Sequence, residues 1–160
     1  MHARYVDGLT IRLLRNGDTA TVAALFTRLG DRSREQRFCG AKPRLSEEEL
    51  DALARIDENR HALVGYVDGD PEPAAIARLV RDGTRAEIAF AVADVYQNRR
   101  LGSILGSELA ADARAAGITE LVGTVCGDNA AIVSLLKRLG QSLDVTWTGR
   151  EREFVVALQS

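Results

Sequence analysis

The chain has 160 residues, 46% of them hydrophobic and 28% charged, with a formal net charge of -2. This describes one domain spanning residues 1–160, able to bury roughly two-thirds of its unfolded surface without a disulfide or metal staple. The small charge gives no reason to expect nucleic acid or an anionic membrane as partner, and no apolar run is long enough to cross a bilayer.

Met1 to Asp7 carries no apolar signal core. Cys39 and Cys126 stand far apart with no ligand pattern around them. They read as free or buried thiols, and a reducing cytoplasm is the expected setting. His2 and His61 are isolated, so no metal site is expected.

The first expected strand is Thr10–Leu14. After the Asn16-Gly17 turn, Asp18 is placed to cap a helix whose apolar residues Val22, Leu25, Phe26 and Leu29 share one face, with Gly30 as the stop. Asp31 to Lys42 is polar and arginine-rich, with Arg32, Arg34 and Arg37, and fits a short helix or turn. Ser46 and Glu49 form a capping-box pattern, followed by Leu50, Leu53, Ala54 and Ile56 at helical spacing. The acidic run Glu47 to Glu49 is then explained by the helix dipole.

Ala62–Val67, Ala74–Val80 and Ala86–Val92 read as strands joined by turns at Asp68-Gly69 and Asp82-Gly83, an antiparallel meander. A long helix, Leu101–Ala116, follows, with Gly117 as its stop. Leu121–Cys126 is a further strand, parallel to the one before the helix. Asp128 or Asn129 caps another helix through Leu136 and Leu139, and strands Ser142–Trp147 and Arg152–Leu158 close the chain as a hairpin.

The stretch Ala86 to Gly117 organises this layout. Ile88, Phe90 and Val92 point one way from their strand, and Glu87, Ala89 and Ala91 the other. Gln97-Asn98-Arg99-Arg100-Leu101-Gly102-Ser103 is a basic loop running into a helix start. A helix start offers unpaired N–H groups and a partial positive charge, Gly102 permits close backbone approach, and the arginines add full charges. An anion site is one reading and a solvated turn the other. Neither G-x-x-x-x-G-K-[ST] nor G-x-G-x-x-G is present, which argues against a nucleotide-hydrolysing P-loop and a dinucleotide fold.

This loop resembles the acyl-CoA pyrophosphate loop of the GNAT superfamily of N-acyltransferases, Q/R-x-x-G-x-G/A. Gln97 matches the first position and Gly102 the last, while Arg100 replaces the inner glycine, a substitution suited to negative φ. The element order has the same layout over nearly the whole chain. The resemblance implies an α/β (α+β) fold: a mixed, mostly antiparallel central sheet splayed between the fourth and fifth strands, with helices on both faces. It also implies acetyl-CoA as acyl donor. Phe90, Ala91 and Val92 would pair with the pantetheine arm, Leu101, Gly102 and Ser103 would meet the pyrophosphate, and Gln97, Asn98, Arg99 and Arg100 would complete the loop. Asn129 matches an asparagine that often contacts the cofactor arm.

A narrower likeness joins Leu29 to Phe38 and Leu45 to Leu50 to the L-S-x-x-S-x-Y-x-R-F…L-S-E-E-E-L stretch of bacterial Pat-type protein lysine acetyltransferases. Gly30 and Glu35 depart from that pattern. The Ala86-Glu87 step also fits, and Glu87 matches the base position of those relatives. The resemblance therefore implies Glu87 as general base and a protein lysine as acceptor. The bland reading of Glu87 is an exposed strand residue paired with Arg85 or a neighbouring-strand arginine. Leu136 occupies the place of the tyrosine acid that many GNAT members use. A small-amine acceptor keeps the same cofactor. A non-catalytic acyl-CoA-binding module is the third reading. The acceptor and the quaternary state are left open.

Overall fold

The computed structural model describes residues 3–29, 45–96, 100–126, 136–139, 142–148 and 151–158, with 124–126, 142–148, 151 and 152 by backbone alone. Their strands form one sheet of order β1-β2-β3-β4-β5-β6-β8-β7. The strands are β1 (Arg4–Val6), β2 (Leu9–Leu13), β3 (Arg60–Val67), β4 (Ala75–Asp82), β5 (Arg85–Val92), β6 (Glu120–Cys126), β7 (Ser142–Thr148) and β8 (Glu151–Ala157). Every adjacent pair is antiparallel except β5 and β6, which run parallel.

β1 is an addition to the expected layout. Asp7 and Gly8 have φ 50 and 82, and Val6 pairs with Leu9 across them. Two consecutive positive-φ residues, one of them glycine, make the two-residue turn that twists with its strands. Asp7-Gly8 is itself a local hairpin-turn signal. The parting of the sheet, expected after the fourth strand, thus follows the fifth.

Three helices are described: α1 (Thr19–Thr27), α2 (Glu47–Leu53) and α3 (Leu101–Ala115). The two caps expected for α1 and α2 are present. Asp18 accepts from the Thr21 N–H, and Ser46 and Glu49 form the reciprocal capping box. α3 ends in a left-handed Gly117 (φ 85), with the Ile118 N–H reaching the Ala113 carbonyl and the Gly117 N–H the Arg114 carbonyl.

The helices lie on both faces of the sheet. α3 sets Leu101, Leu105, Leu109, Ala110 and Ala113 against Leu9, Ile11, Leu63, Ala77, Ile88, Leu121 and Phe154. Arg4 and His61 grip its far end, Arg4 at 2.9 Å from Glu108 and 3.0 Å from Asp112, and His61 Nε2 at 2.9 Å from Asp112. On the opposite face α1 and the residues around α2 place Val22, Phe26, Leu29, Leu45 and Ala54 over Ala62 and Val64.

Candidate active site

The alternation read in β5 decides which side chains meet which helix. Ala86, Ile88, Phe90 and Val92 face α3, while Ala89 and Ala91 line a groove beneath α1. Glu87 shares their side of the strand and is exposed. β5 and β6 pair only at Arg85–Glu120, Ala86–Leu121 and Glu87–Val122. Beyond that rung β5 stays with β4 as far as Val92, and β6 stays with β8 as far as Cys126. The two parallel strands therefore part immediately after Glu87, and the base candidate stands at the apex.

The sequence alternative for Glu87 was a pairing with an arginine. Arg85 instead meets Glu120 at 3.2 Å, and Glu87 makes no hydrogen bond or ion pair among the described residues. Val80 lies opposite Glu87 on β4, and Arg78, on the same face, lies opposite Ala89. Burial pushes the Arg78 guanidinium below its ordinary value, Arg60 adds to this, and Glu87 and Asp57 oppose it. One Arg78 nitrogen, Nη2, donates to the Ala52 carbonyl at 2.8 Å. Its Nε is buried with no partner among the described residues, an arrangement that costs about 1–3 kcal/mol.

The groove opens to solvent. Its walls are apolar: Val22, Leu25 and Phe26 from α1, with Ile76, Ala89 and Ala91 from the sheet. Arg78 is the charged residue in its lining.

Past Val92 the chain forms a short 3₁₀ turn, Asp94–Tyr96, and returns as α3. Gln97, Asn98, Arg99 and Asn129 lie outside the described residues, as do Gly30 and the arginines Arg32, Arg34 and Arg37. The helix start itself is well defined. Its first internal bond runs from the Ile104 N–H to the Arg100 carbonyl at 3.0 Å. The N–H groups of Leu101, Gly102 and Ser103 thus precede the helix ladder. α1 and α2 satisfy such groups with side chains, but α3 has no side-chain cap. Gly102 sits against the end of β5: a Cβ there would lie 3.8 Å from Val92 Cγ2.

Two residues revise the expected loop. Arg100 is the helix N-cap with φ 64 and ψ 13, so the negative φ that would suit an arginine there is not what it adopts. It occupies the left-handed conformation that the replaced glycine would take without strain. Arg138 was not among the expected residues. Its Nη2 donates to Ser103 Oγ at 2.9 Å, which brings a further cation to the helix start. No local motif marks it, because the contact spans 35 residues of sequence.

The uncapped helix start, the cations Arg100 and Arg138 and the parted strands fit a donor carrying a diphosphate and an extended amide arm. Leu136 is buried in the α3-side core, near Gly123, and offers no acid. Tyr96 donates to Asp70 at 2.5 Å. No group of three or more metal-ligating side chains occurs among the described residues.

The sequence pattern of the acetyltransferase (GNAT) family matches residues 24–141. The chain belongs to that family. It is the family whose cofactor loop Gln97–Gly102 resembles. The acetyltransferase Pat of Mycolicibacterium smegmatis is 37% identical over 95 residues, 57% of this chain and 28% of that protein. The chain thus spans about a quarter of that relative's length. The GNAT domain of Streptomyces lividans PAT superposes with a TM-score of 0.83 at 24% identity, covering 94% of this chain and 90% of the other. A GNAT-family acetyltransferase from Streptococcus pneumoniae gives 0.70 at 22% identity, covering 94% and 99%. These two likenesses bear out the expected fold, including the open mixed sheet.

Proposed function

We propose that this domain moves an acetyl group from acetyl-CoA to the side-chain amine of a protein lysine, with Glu87 as general base. The observation that carries the reading is Glu87 itself: an exposed carboxylate at the rung where β5 and β6 part, on the face that leads into the groove. The identity with Pat supports the choice of lysine.

A free lysine amine has a pKa of about 10.4, so making it neutral at pH 7 costs roughly 4–5 kcal/mol. The carboxylate of Glu87, directly or through water, takes that proton and so supplies a nucleophilic amine. The apolar walls Leu25, Phe26, Ile76 and Ala89 suit the methylene stem of a lysine. Acetyl-CoA supplies the thioester carbonyl; its phosphates would meet Leu101, Gly102, Ser103, Arg100 and Arg138, and its arm the parted edge of β5. The new bond joins nitrogen to the acyl carbon and the carbon–sulfur bond breaks; the nitrogen, cationic after attack, gives its second proton to solvent, and the thiolate takes one from solvent.

The test is mass spectrometry of lysine-bearing proteins incubated with acetyl-CoA and either the native chain or Glu87→Gln. The variant is expected to lose about 10²–10⁴ in turnover and to keep its affinity for acetyl-CoA. Undiminished transfer by Glu87→Gln removes the carboxylate from the mechanism, and no transfer to any protein removes the lysine assignment.

Arg78 favours one other acceptor. A half-buried guanidinium on an apolar wall, its Nε unpaired among the described residues, suits the carboxylate of a small amino acid. Acetylation of free amino acids in preference to intact proteins would select that reading.

A further inference from the structure

One carboxylate outside the groove collects three separate parts of the chain. Asp70, in the β3–β4 turn, accepts through Oδ2 from the Tyr96 hydroxyl at 2.5 Å and from Arg28 Nη2 at 2.9 Å. Its Oδ1 accepts from the Glu72 N–H at 2.9 Å. Arg28 is the C-cap of α1. It donates from Nη1 to the Pro73 carbonyl at 3.1 Å, and its own carbonyl accepts from the Asp94 N–H at 3.0 Å. The guanidinium also lies 5.3 Å from the centre of the Tyr96 ring. These bonds, that of Tyr96 first, hold the Asp70 carboxyl down to about 2, so it is ionised at neutral pH.

The position of the cluster gives it meaning. Tyr96 ends the 3₁₀ turn and directly precedes the basic loop that leads to the start of α3. Arg28 directly precedes Leu29, which lines the groove. The loop side and the groove side of the site are thus joined through a single oxygen. A second pair of the same chemistry stands two residues earlier in the same turn: Tyr5 donates to Asp68 Oδ2 at 2.5 Å. That pair ties down the N-terminal hairpin and no part of the site.

We propose that Arg28, Asp70 and Tyr96 are positioning residues. They fix the entry of the cofactor loop relative to α1, so that donor affinity depends on a bond formed away from the donor. This rests on the acetyl-CoA reading given above. A charge-assisted bond that is satisfied only when three segments are in register resists displacement of any one of them.

The test compares Tyr96→Phe, Asp70→Asn and their double variant with Tyr5→Phe, each shown folded by thermal melting. Coenzyme A binding is read by calorimetry, and amide hydrogen exchange at residues 104–106, the first amides of the α3 ladder, is read without ligand. Tyr96→Phe and Asp70→Asn should each weaken binding by about tenfold. The double variant should be no worse than the poorer single one, because the Tyr96 bond removed by Tyr96→Phe is one that Asp70→Asn already weakens. Exchange at 104–106 should quicken in both variants and stay at the native rate in Tyr5→Phe. Should Asp70→Asn fail to fold, Tyr96→Phe, which loses only one hydroxyl, decides the matter.

Native-like affinity and exchange in Tyr96→Phe overturn the proposal, as does a loss in Tyr5→Phe equal to that in Tyr96→Phe. Absence of binding by the folded native chain overturns the acetyl-CoA reading and this proposal with it. Binding by the native chain and by Tyr96→Phe alike overturns this proposal alone.

Discussion

The two faces of the sheet are built to different standards. Under α3 the side chains of β5 meet a closed apolar layer: Ala86 and Ile88 are buried among Leu101, Leu105, Leu109 and Leu121. The polar groups at that helix's far end are mutually paired, Arg4 with Glu108 and Asp112, and His61 with Asp112. Under α1 the same strand shows small alanines to an open groove and Glu87 to solvent, and the neighbouring Arg78 has a buried donor with no acceptor among the described residues. A chain under selection for stability alone would fill that space and satisfy that nitrogen. On the proposed function, the closed face holds the helix whose first turn would meet the donor, and the open face would leave room for the acceptor.

The largest expected stability effect breaks the closed face. Leu105 is buried in the middle of α3, so Leu105→Ala should cost about 2–5 kcal/mol and lower the melting temperature sharply. The matching change on the open face is Ala89→Leu, opposite Arg78 in the β4–β5 register. Extra methylenes there enter the groove rather than a packed layer. The midpoint of unfolding should move little, whereas kcat/KM for the acceptor should fall about tenfold or more. Calorimetric melting and steady-state kinetics on both variants check the pair. If Ala89→Leu melts as early as Leu105→Ala, the groove is ordinary core and the contrast between the faces fails.

That contrast also sorts what could be read ahead of the structure. Period and caps carried far: the two-residue alternation assigned Glu87, Ala89 and Ala91 to one side of β5, and Asp18, Ser46, Glu49 and Gly117 bound their helices as local chemistry requires. The β1 hairpin was missed even though its Asp-Gly turn is as local as any of these. Other features had no local signature. The orphaned Arg78 Nε depends on how β4 packs beneath α1 and α2. The bond from Arg138 to Ser103, and the convergence of Arg28 and Tyr96 on Asp70, join segments 26–42 residues apart. No spacing rule reaches so far, because such contacts exist only once the sheet has brought the segments together.

The smallest effect concerns Arg100, where the closed face meets the loop. A non-glycine residue in the left-handed region carries a strain of roughly 1–2 kcal/mol, and glycine removes it while losing some unfolded-state restriction. Arg100→Gly should therefore stabilise the fold by about 0.5–1 kcal/mol, a rise in melting temperature of about 1–4 °C for a chain of this size. The exposed guanidinium makes no hydrogen bond or ion pair among the described residues, so little folded-state contact is lost in exchange. The same substitution removes one cation from the helix start. If a diphosphate binds there, coenzyme A affinity should fall, and its dependence on salt should flatten. A variant that is more stable yet binds donor less well would show that the arginine is kept in a strained conformation for its charge. A variant that is more stable and binds equally well would assign donor recognition to the main-chain amides and Arg138, leaving the strain at residue 100 without a role in binding.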